Sequence, residues 1–417
     1  MFSNLKRAAW NFSHLAFGEF SSKAFGFLTT AYLARTLGVE MFGFTGFVGS
    51  ISAYAILFSN FGIETYATRL LAADREALTK KTMGVIFGTR SLLAIALIIP
   101  FIAFGFYYSQ TVSEQLFFIF ESVIILVYAF NLQYFFVSIR DVRKVAVIRT
   151  GSAALVLVAS YCFIHSPADV QYNALIGSSV TLVFFLWGVV HAFRKLPGAF
   201  SFPSFSEMRG LVRDSLPLGV SALMIQIYHS ADIVFLGFTN PGTQLGYYTG
   251  AYRIINLISA VPGLIYLTYI PDLATITEAH PAAKTTREYI AAVIALGIVI
   301  VGLSFYFSKE IITIILGAHF APANTVFRIL LINVLIIYIN VAFAHLLMAW
   351  GENRSYLYVV STGAAVNIVM NVVLIPHYGI NGAAIATACA EAAVFVAAWR
   401  YLRKKFQFSL AKLLRPG

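Results

Sequence analysis

Charge is scarce in this chain. Only 11% of its 417 residues are Asp, Glu, Lys or Arg, and just 18 of them are acidic. A soluble domain covers its surface with about 25% charged residues, so this composition excludes an ordinary soluble globular protein. There are two cysteines, Cys162 and Cys389, with no metal-ligand spacing, which excludes a disulfide framework and a zinc module and predicts two buried thiols. No Gly-x-x-x-x-Gly-Lys-Ser/Thr stretch occurs, so no phosphate-cradling loop of an ATP-driven pump is present in the chain. Long polar stretches are missing as well. The outer loops defined below are short, the longest being "KEIITIILGAHFAPA" (Lys309 to Ala323), and leave no room for a soluble catalytic domain.

What fills the chain instead is apolar: 59% hydrophobic residues and a mean hydropathy of +0.80. A membrane span needs about 20 apolar residues to cross about 30 Å of hydrocarbon. Runs of that kind predict twelve helices, at 11–36, 42–70, 83–108, 114–138, 146–164, 171–193, 215–239, 246–274, 287–308, 322–350, 355–375 and 380–402. The first run follows Lys6 and Arg7, is too long for a signal-peptide core and lacks a small-residue cleavage site, so it is expected to persist in the mature protein. With the N-terminus inside, 23 of the 29 Lys and Arg residues fall in cytoplasmic segments and only Arg35 and Lys309 outside. Cytoplasmic loops retain positive charge during insertion, so both termini are expected in the cytoplasm. The net charge of +11 is then topological and implies no nucleic-acid partner.

The chain also reads as two halves. The longest cytoplasmic connection contains the Pro-, Ser- and Gly-rich "PGAFSFPSFSEMRG" near the middle, which predicts six-helix bundles at 1–193 and 215–417 joined by a linker at 194–214. "LGVEMFGFTGFVG" (Leu37 to Gly49) and "NPGTQLGYYTGAY" (Asn240 to Tyr252) each place a Gly-aromatic pair, Gly43-Phe44 and Gly246-Tyr247, at a helix start 203 residues apart. Equally oriented halves form a parallel repeat, and in transporters built this way the substrate path lies between the halves.

Three segments carry a family resemblance: "ADIVFLGFTNPGTQLGYYTGAYRI" (Ala231 to Ile254), "LGAHFAPANTVFRILL" (Leu316 to Leu331) and above all "NIVMNVVLIPHYGINGAAIATA" (Asn367 to Ala388). They resemble the polysaccharide and O-antigen flippases of the multidrug, oligosaccharidyl-lipid and polysaccharide exporter superfamily. The resemblance implies an all-α polytopic membrane protein of two bundles around a central cavity. It further implies that the protein is no enzyme and carries an undecaprenyl-diphosphate-linked oligosaccharide from the cytoplasmic to the periplasmic leaflet of a bacterial inner membrane, beside a polymerase and a chain-length regulator. No cofactor is expected; energy comes from a proton or sodium gradient or from consumption of the product. Three alternatives stand beside it. One is a cation-coupled drug exporter of the same superfamily, which needs an acid-dominated cavity. Another is a murein lipid II flippase, whose chains usually carry extra spans. The third is a membrane-embedded glycan polymerase or ligase, which needs a large outer loop.

A diphosphate headgroup calls for cations inside the membrane, and four lie within the predicted spans: Lys23 near the midplane, Arg90 toward the cytoplasmic side, and Arg253 and Arg328 toward the outer side. These four, with Asn367 and Asn371 four residues apart on one helix face, are the candidate substrate-binding residues. Arg328 is equally suited to snorkelling, and Arg253 to an ion pair with Asp232 at similar depth. Asparagine stripes, Asn367/Asn371 and Asn333/Asn340, also serve as interhelical glue. Candidates for coupling or ion pairing are Glu19, Asp232 with His229 on the same face, and Glu391. Glu19 precedes Lys23 by four residues, the favourable order for an intrahelical pair.

Overall fold

The computed structural model describes residues 2–74, 79–196, 201–275 and 284–406, with side chains from Gly18 onward. Among these residues every regular element is helical. Fourteen α-helices follow in order: α1 Phe2–Asn60, α2 Ile63–Ala73, α3 Lys80–Tyr108, α4 Val112–Val127, α5 Gln133–Ser138, α6 Val142–Phe163, α7 Val170–Lys195, α8 Phe205–Thr239, α9 Thr243–Ser259, α10 Val261–Leu273, α11 Lys284–Tyr306, α12 Ser308–Leu316, α13 Asn324–Ala349 and α14 Asn353–Phe406. Without water to satisfy backbone groups in hydrocarbon, a chain of this composition has helices as its economical solution.

Ten helical stretches among the described residues are long and apolar enough to cross a membrane. The first spans 43 residues and the last 54, about twice the length that one crossing requires. Each holds one non-helical glycine, Gly38 at φ 72° and Gly379 at φ 53°, a conformation that only a residue without Cβ adopts at low cost. At Gly379 the chain reverses. A Cβ on Gly382 would collide with the Leu374 carbonyl, whereas eight residues of continuous helix would hold the two about 12 Å apart.

Several expected spans are interrupted. The second breaks at Phe61 and Gly62, both at positive φ, between α1 and α2. The fourth breaks at Asn131, whose side-chain oxygen accepts from the Gln133 amide and turns the chain into α5. The eighth breaks at Ala260, ahead of Pro262, which has no N–H to continue the ladder. The expected linker is shorter than its composition suggests, because α8 begins at Phe205 and its Glu207 carboxylate caps the start through Ser204. The cysteines differ from expectation too: Cys162 is exposed and Cys389 half-buried. A thiol on a helix face toward hydrocarbon needs no protein around it.

The chain divides into two compact units, Met1–Met41 with Val48–Leu223 and Phe42–Phe47 with Met224–Gly417, so the boundary falls inside α8. The first unit is centred on an aromatic core in which Tyr134, Phe135 and Phe136 of α5 meet Ile63 of α2, Met83 of α3, Ile148 of α6 and Phe185 of α7. In the second, α13 lies in the interior: Tyr338 donates to the Ile258 carbonyl (3.1 Å), the Val341 carbonyl accepts from Tyr289 (2.9 Å), and Asn333 donates to the Ala384 carbonyl of α14 (2.7 Å).

Candidate functional site

The second unit is built around a buried carboxylate. Asp232, 4% exposed on α8, accepts four hydrogen bonds from side chains of α9 and both legs of α14. Tyr248 Oη (2.7 Å) and Thr387 Oγ1 (2.6 Å) donate to Oδ2, and Asn367 Nδ2 (2.9 Å) and Asn371 Nδ2 (2.5 Å) donate to Oδ1. The hairpin at Gly379 makes this possible, since it brings Thr387 back to the level of Asn367 and Asn371. All four partners are neutral, so none of these side chains brings a cation to Asp232. Beside the carboxylate, Asn371 Oδ1 is buried and receives no hydrogen bond.

This arrangement corrects two expectations. Asn367 and Asn371 are fully buried, with no surface open to a ligand in this structure, and they tie α14 to α8. The ion pair with Asp232, one of the two readings of Arg253, does not form among the described residues; Arg253 is exposed on α9 while the carboxylate is held by other groups. His229 also stays outside the shell. Its ring packs against Tyr228 at a centroid distance of 5.4 Å, its carbonyl accepts from Tyr252 (2.7 Å), and its side chain is exposed.

A second buried acid lies further along α14. Glu391, 4% exposed, accepts from Asn340 Nδ2 at Oε2 (2.6 Å), and the same amide reaches the Glu391 carbonyl (2.9 Å). Tyr228 of α8 is a further partner of this carboxylate. The Asn333/Asn340 stripe thus fastens α13 to α14, with one amide on a backbone carbonyl and the other on an acid.

In the first unit one cluster of charges is open to the surroundings. Glu19 and Lys23 pair at 3.3 Å along α1, and Glu19 also pairs with Arg149 of α6. Arg149 is held from behind by Gln133 Oε1 of α5, at 2.9 and 3.1 Å. Lys23 is 53% exposed and Arg149 42%. Two cations share one carboxylate here, leaving an accessible net positive charge. In sequence Arg149 counts as a cytoplasmic-loop cation; its partner Glu19 lies 130 residues away, and only the fold joins them.

Arg90, a candidate substrate contact, is buried in this structure. It is 2% exposed, and its guanidinium donates to the carbonyls of Asn131 (2.9 Å) and Tyr128 (2.6 Å), where α4 gives way to α5. The Tyr128 carbonyl also accepts from the Asn131 amide at 3.1 Å, whereas the Asn131 carbonyl follows the break, and Arg90, 5.9 Å from the Tyr134 ring centre, donates to both. Arg328 is half-buried, donates to Ser308 Oγ (2.8 Å) and sits 4.9 Å from the Phe305 ring centre, which is a packing role.

Comparison with known proteins follows the same lines. Among solved structures, the fold resembles the lipid II flippase MurJ in an inward closed conformation, with a TM-score of 0.75 at 13% identity, covering 96% of this chain and 89% of that one. It also resembles an inward-facing multidrug-resistance MATE transporter of the MOP superfamily, with a TM-score of 0.70 at 15% identity over 92% and 94% of the two chains. Among sequences, it is 26% identical over 264 residues to a probable low-salt glycan biosynthesis flippase, Agl15, of Haloferax volcanii, covering 60% of this chain and 53% of that one. It is 25% identical over 280 residues to a putative O-antigen transporter of Escherichia coli K12, covering 64% of each. This chain thus spans between half and two thirds of the length of these two relatives. The family model described as polysaccharide biosynthesis protein matches residues 9–277, well over half of the chain, and the protein therefore belongs to that family.

Proposed function

We propose that this protein is a flippase that moves an undecaprenyl-diphosphate-linked oligosaccharide from the cytoplasmic to the periplasmic leaflet by alternating access. The observation that carries the reading is the exposed cationic pair, Lys23 and Arg149, sharing Glu19. Family membership and the names of the two relatives support the same cargo class. Twelve crossings with both termini cytoplasmic complete the reading, α1 crossing twice about Gly38 and α14 twice about Gly379, in a bacterial inner membrane. Counted from Gly38, Lys23 lies about 22 Å along α1, nearer the cytoplasmic edge than the midplane expected above, which suits capture of a headgroup from the cytoplasmic leaflet. Incoming phosphate oxygens compete with Glu19 for the two cations. Lys23 offers a point charge and Arg149 a planar fork matched to phosphate.

The buried acids take a separate role. Asp232, buried with only neutral partners and with the unpaired Asn371 oxygen on the same cluster, is the group to which we assign uptake of the coupling cation. A drug exporter on this fold would expose its acids to a cationic cargo; here Asp232 and Glu391 are buried and hydrogen-bonded while the accessible charge in the first unit is positive.

The test is a deletion strain complemented with Lys23→Gln/Arg149→Gln. Loss of charge-assisted contacts worth about 1.5–3 kcal/mol each weakens cargo binding at least tenfold. Glycolipid then accumulates in the cytoplasmic leaflet at normal protein level. Normal export by the double variant, or a deletion strain that exports glycolipid normally but loses drug resistance, overturns the proposal.

A further inference from the structure

The face of α14 that points away from Asp232 and Glu391 carries a feature that the flippase reading does not use. The two legs of the helix leave between them a cavity of about 840 Å³, floored by Ala392, Ala393, Val396 and Ala397 and flanked by Tyr358 and Thr362 of the first leg. Its rim at one end is basic: Arg400, Lys404 and Lys405 line it together with Tyr401. The cavity lies wholly within the second unit. Every polar atom that a floor of alanine and valine presents belongs to backbone already bonded within the helix, so the floor offers nothing to a sugar or to water and a dry, narrow surface to an alkyl chain.

Position along the helix fixes what the rim meets. Arg400 is 21 residues after the reversal at Gly379 and Tyr358 is 21 residues before it, so both stand about 32 Å from the turn, one hydrocarbon thickness away. Tyr358 and Tyr401 face each other there with ring centres 5.8 Å apart, at the level where tyrosines sit in the interface. Ala392 lies about 12 Å deeper. Lys405 is engaged by Glu352. Arg400 and Lys404 are exposed, one turn apart on the same helix face, and neither forms an ion pair among the described residues. A basic, aromatic-lined mouth at the interface above a dry slot running inward is complementary to a molecule with a phosphate at one end and a hydrocarbon chain at the other.

We infer that this groove is a docking site for an anionic membrane phospholipid, its phosphate on Arg400 and Lys404 and one acyl chain along the Ala392–Ala397 floor. The loop charge count assigns this end of the helix to the cytoplasmic side, where the anionic headgroups of that leaflet are within reach of the rim. The site is independent of the cargo site on α1 and α6, and the lipid bound here is a resident of the fold rather than the transported molecule.

The experiment uses the purified full chain in detergent, delipidated and mixed with dioleoyl-phosphatidylglycerol or dioleoyl-phosphatidylcholine, with retained lipid counted by native mass spectrometry. The wild type is expected to retain phosphatidylglycerol about tenfold better, as two interfacial cations imply. Arg400→Gln/Lys404→Gln abolishes that preference, and Ala393→Leu/Ala397→Leu, which fills the slot, lowers retention of both lipids. Arg403→Gln, exposed but outside the groove, changes neither, and size-exclusion profiles confirm that each variant is folded. Equal retention of the two lipids by the wild type, or a preference that survives in Arg400→Gln/Lys404→Gln, overturns the inference. Full displacement by water-soluble glycerol phosphate would mark a phosphate site without a chain slot. If lipid binds only after residues 407–417 are deleted, the chain's own C-terminal segment is the occupant. Either result also overturns it.

Discussion

Gly43 and Gly246 touch backbone to backbone: a Cβ built on Gly43 would stand 2.5 Å from the Gly246 nitrogen and 2.7 Å from its Cα. Three residues on, Gly46 lies against the Thr249 side chain, whose Cγ2 would stand 2.4 Å from a Cβ there, so two helix starts 203 residues apart in sequence cross within the second unit, to which Phe42–Phe47 belongs. Close approach through small residues is how helices associate in lipid, where no hydrophobic force separates one apolar surface from another. Neither backbone can yield to a methyl group. Gly43→Ala and Gly246→Ala are each expected to lower thermal stability in detergent by about 1–3 kcal/mol. Gly49→Ala, with nothing within 4 Å, is expected to hold or slightly raise it. Equal melting temperatures for Gly43→Ala and Gly49→Ala would refute the crossing.

Arg90 repairs the break between α4 and α5, so its replacement is expected to act on folding before transport. Arg90→Met leaves the Asn131 carbonyl buried without a donor and takes one of two donors from the Tyr128 carbonyl, a loss of about 1–3 kcal/mol. Arg90→Lys restores part of it, because an ammonium reaches one carbonyl but lacks the fork that spans two. The measurement is protein yield and melting temperature for the three forms. If Arg90→Met is as stable as the wild type yet dead in export, Arg90 belongs to the cargo path after all.

Reading these residues from sequence succeeds where the signal is local and fails where it is not. Apolar run length marks where helices lie, whereas the Gly-aromatic repeat, legible as a sign of two equally oriented halves, gives no hint that Gly43 and Gly246 meet each other. The Asn367/Asn371 stripe is equally visible, but its partner is not: one carboxylate gathers Tyr248, Thr387 and both amides across as many as 155 residues. Glu19 found its near partner Lys23 through helical spacing, whereas Arg149 comes to it through the packing of α6 on α1. Arg90 shows the limit most clearly. An arginine seven residues inside a span reads as functional because its cost is visible in sequence, while the frayed helix end that compensates it depends on a neighbouring element.

Glu352, between α13 and α14, gives a pH signature outside the spans. Its carboxylate accepts from Lys405 and from Ser355 Oγ (2.9 Å), and these hydrogen bonds hold its pKa below the usual carboxylate range. A depressed folded-state pKa contributes stability that is fully present above the unfolded value of about 4.3 and is lost as pH falls through the folded one. The pair is partly exposed, so the contribution is under about 1 kcal/mol. Glu352→Gln is expected to lower the melting temperature at pH 7 and to match the wild type at the acid end of the range. A difference that grows on acidification would reverse the assigned sign.

Asp232 is where cation coupling can be separated from cargo binding. The carboxylate has four neutral donors and, at its side, an asparagine oxygen with no donor, so the unmet requirement of the cluster is positive charge. A cation that enters the folded cluster and not the unfolded chain raises stability, by about 1.4 kcal/mol at a tenfold excess over its Kd. The wild type is therefore expected to melt higher in sodium chloride than in choline chloride if sodium is the ion, and Asp232→Asn is expected to lose that difference while keeping the side-chain volume. If the ion is a proton, the salts are equivalent, and proton uptake by reconstituted vesicles during transport disappears in Asp232→Asn instead. Retention of the wild-type salt response or of proton uptake by Asp232→Asn would remove this carboxylate from coupling and leave it as a tie between α8, α9 and α14.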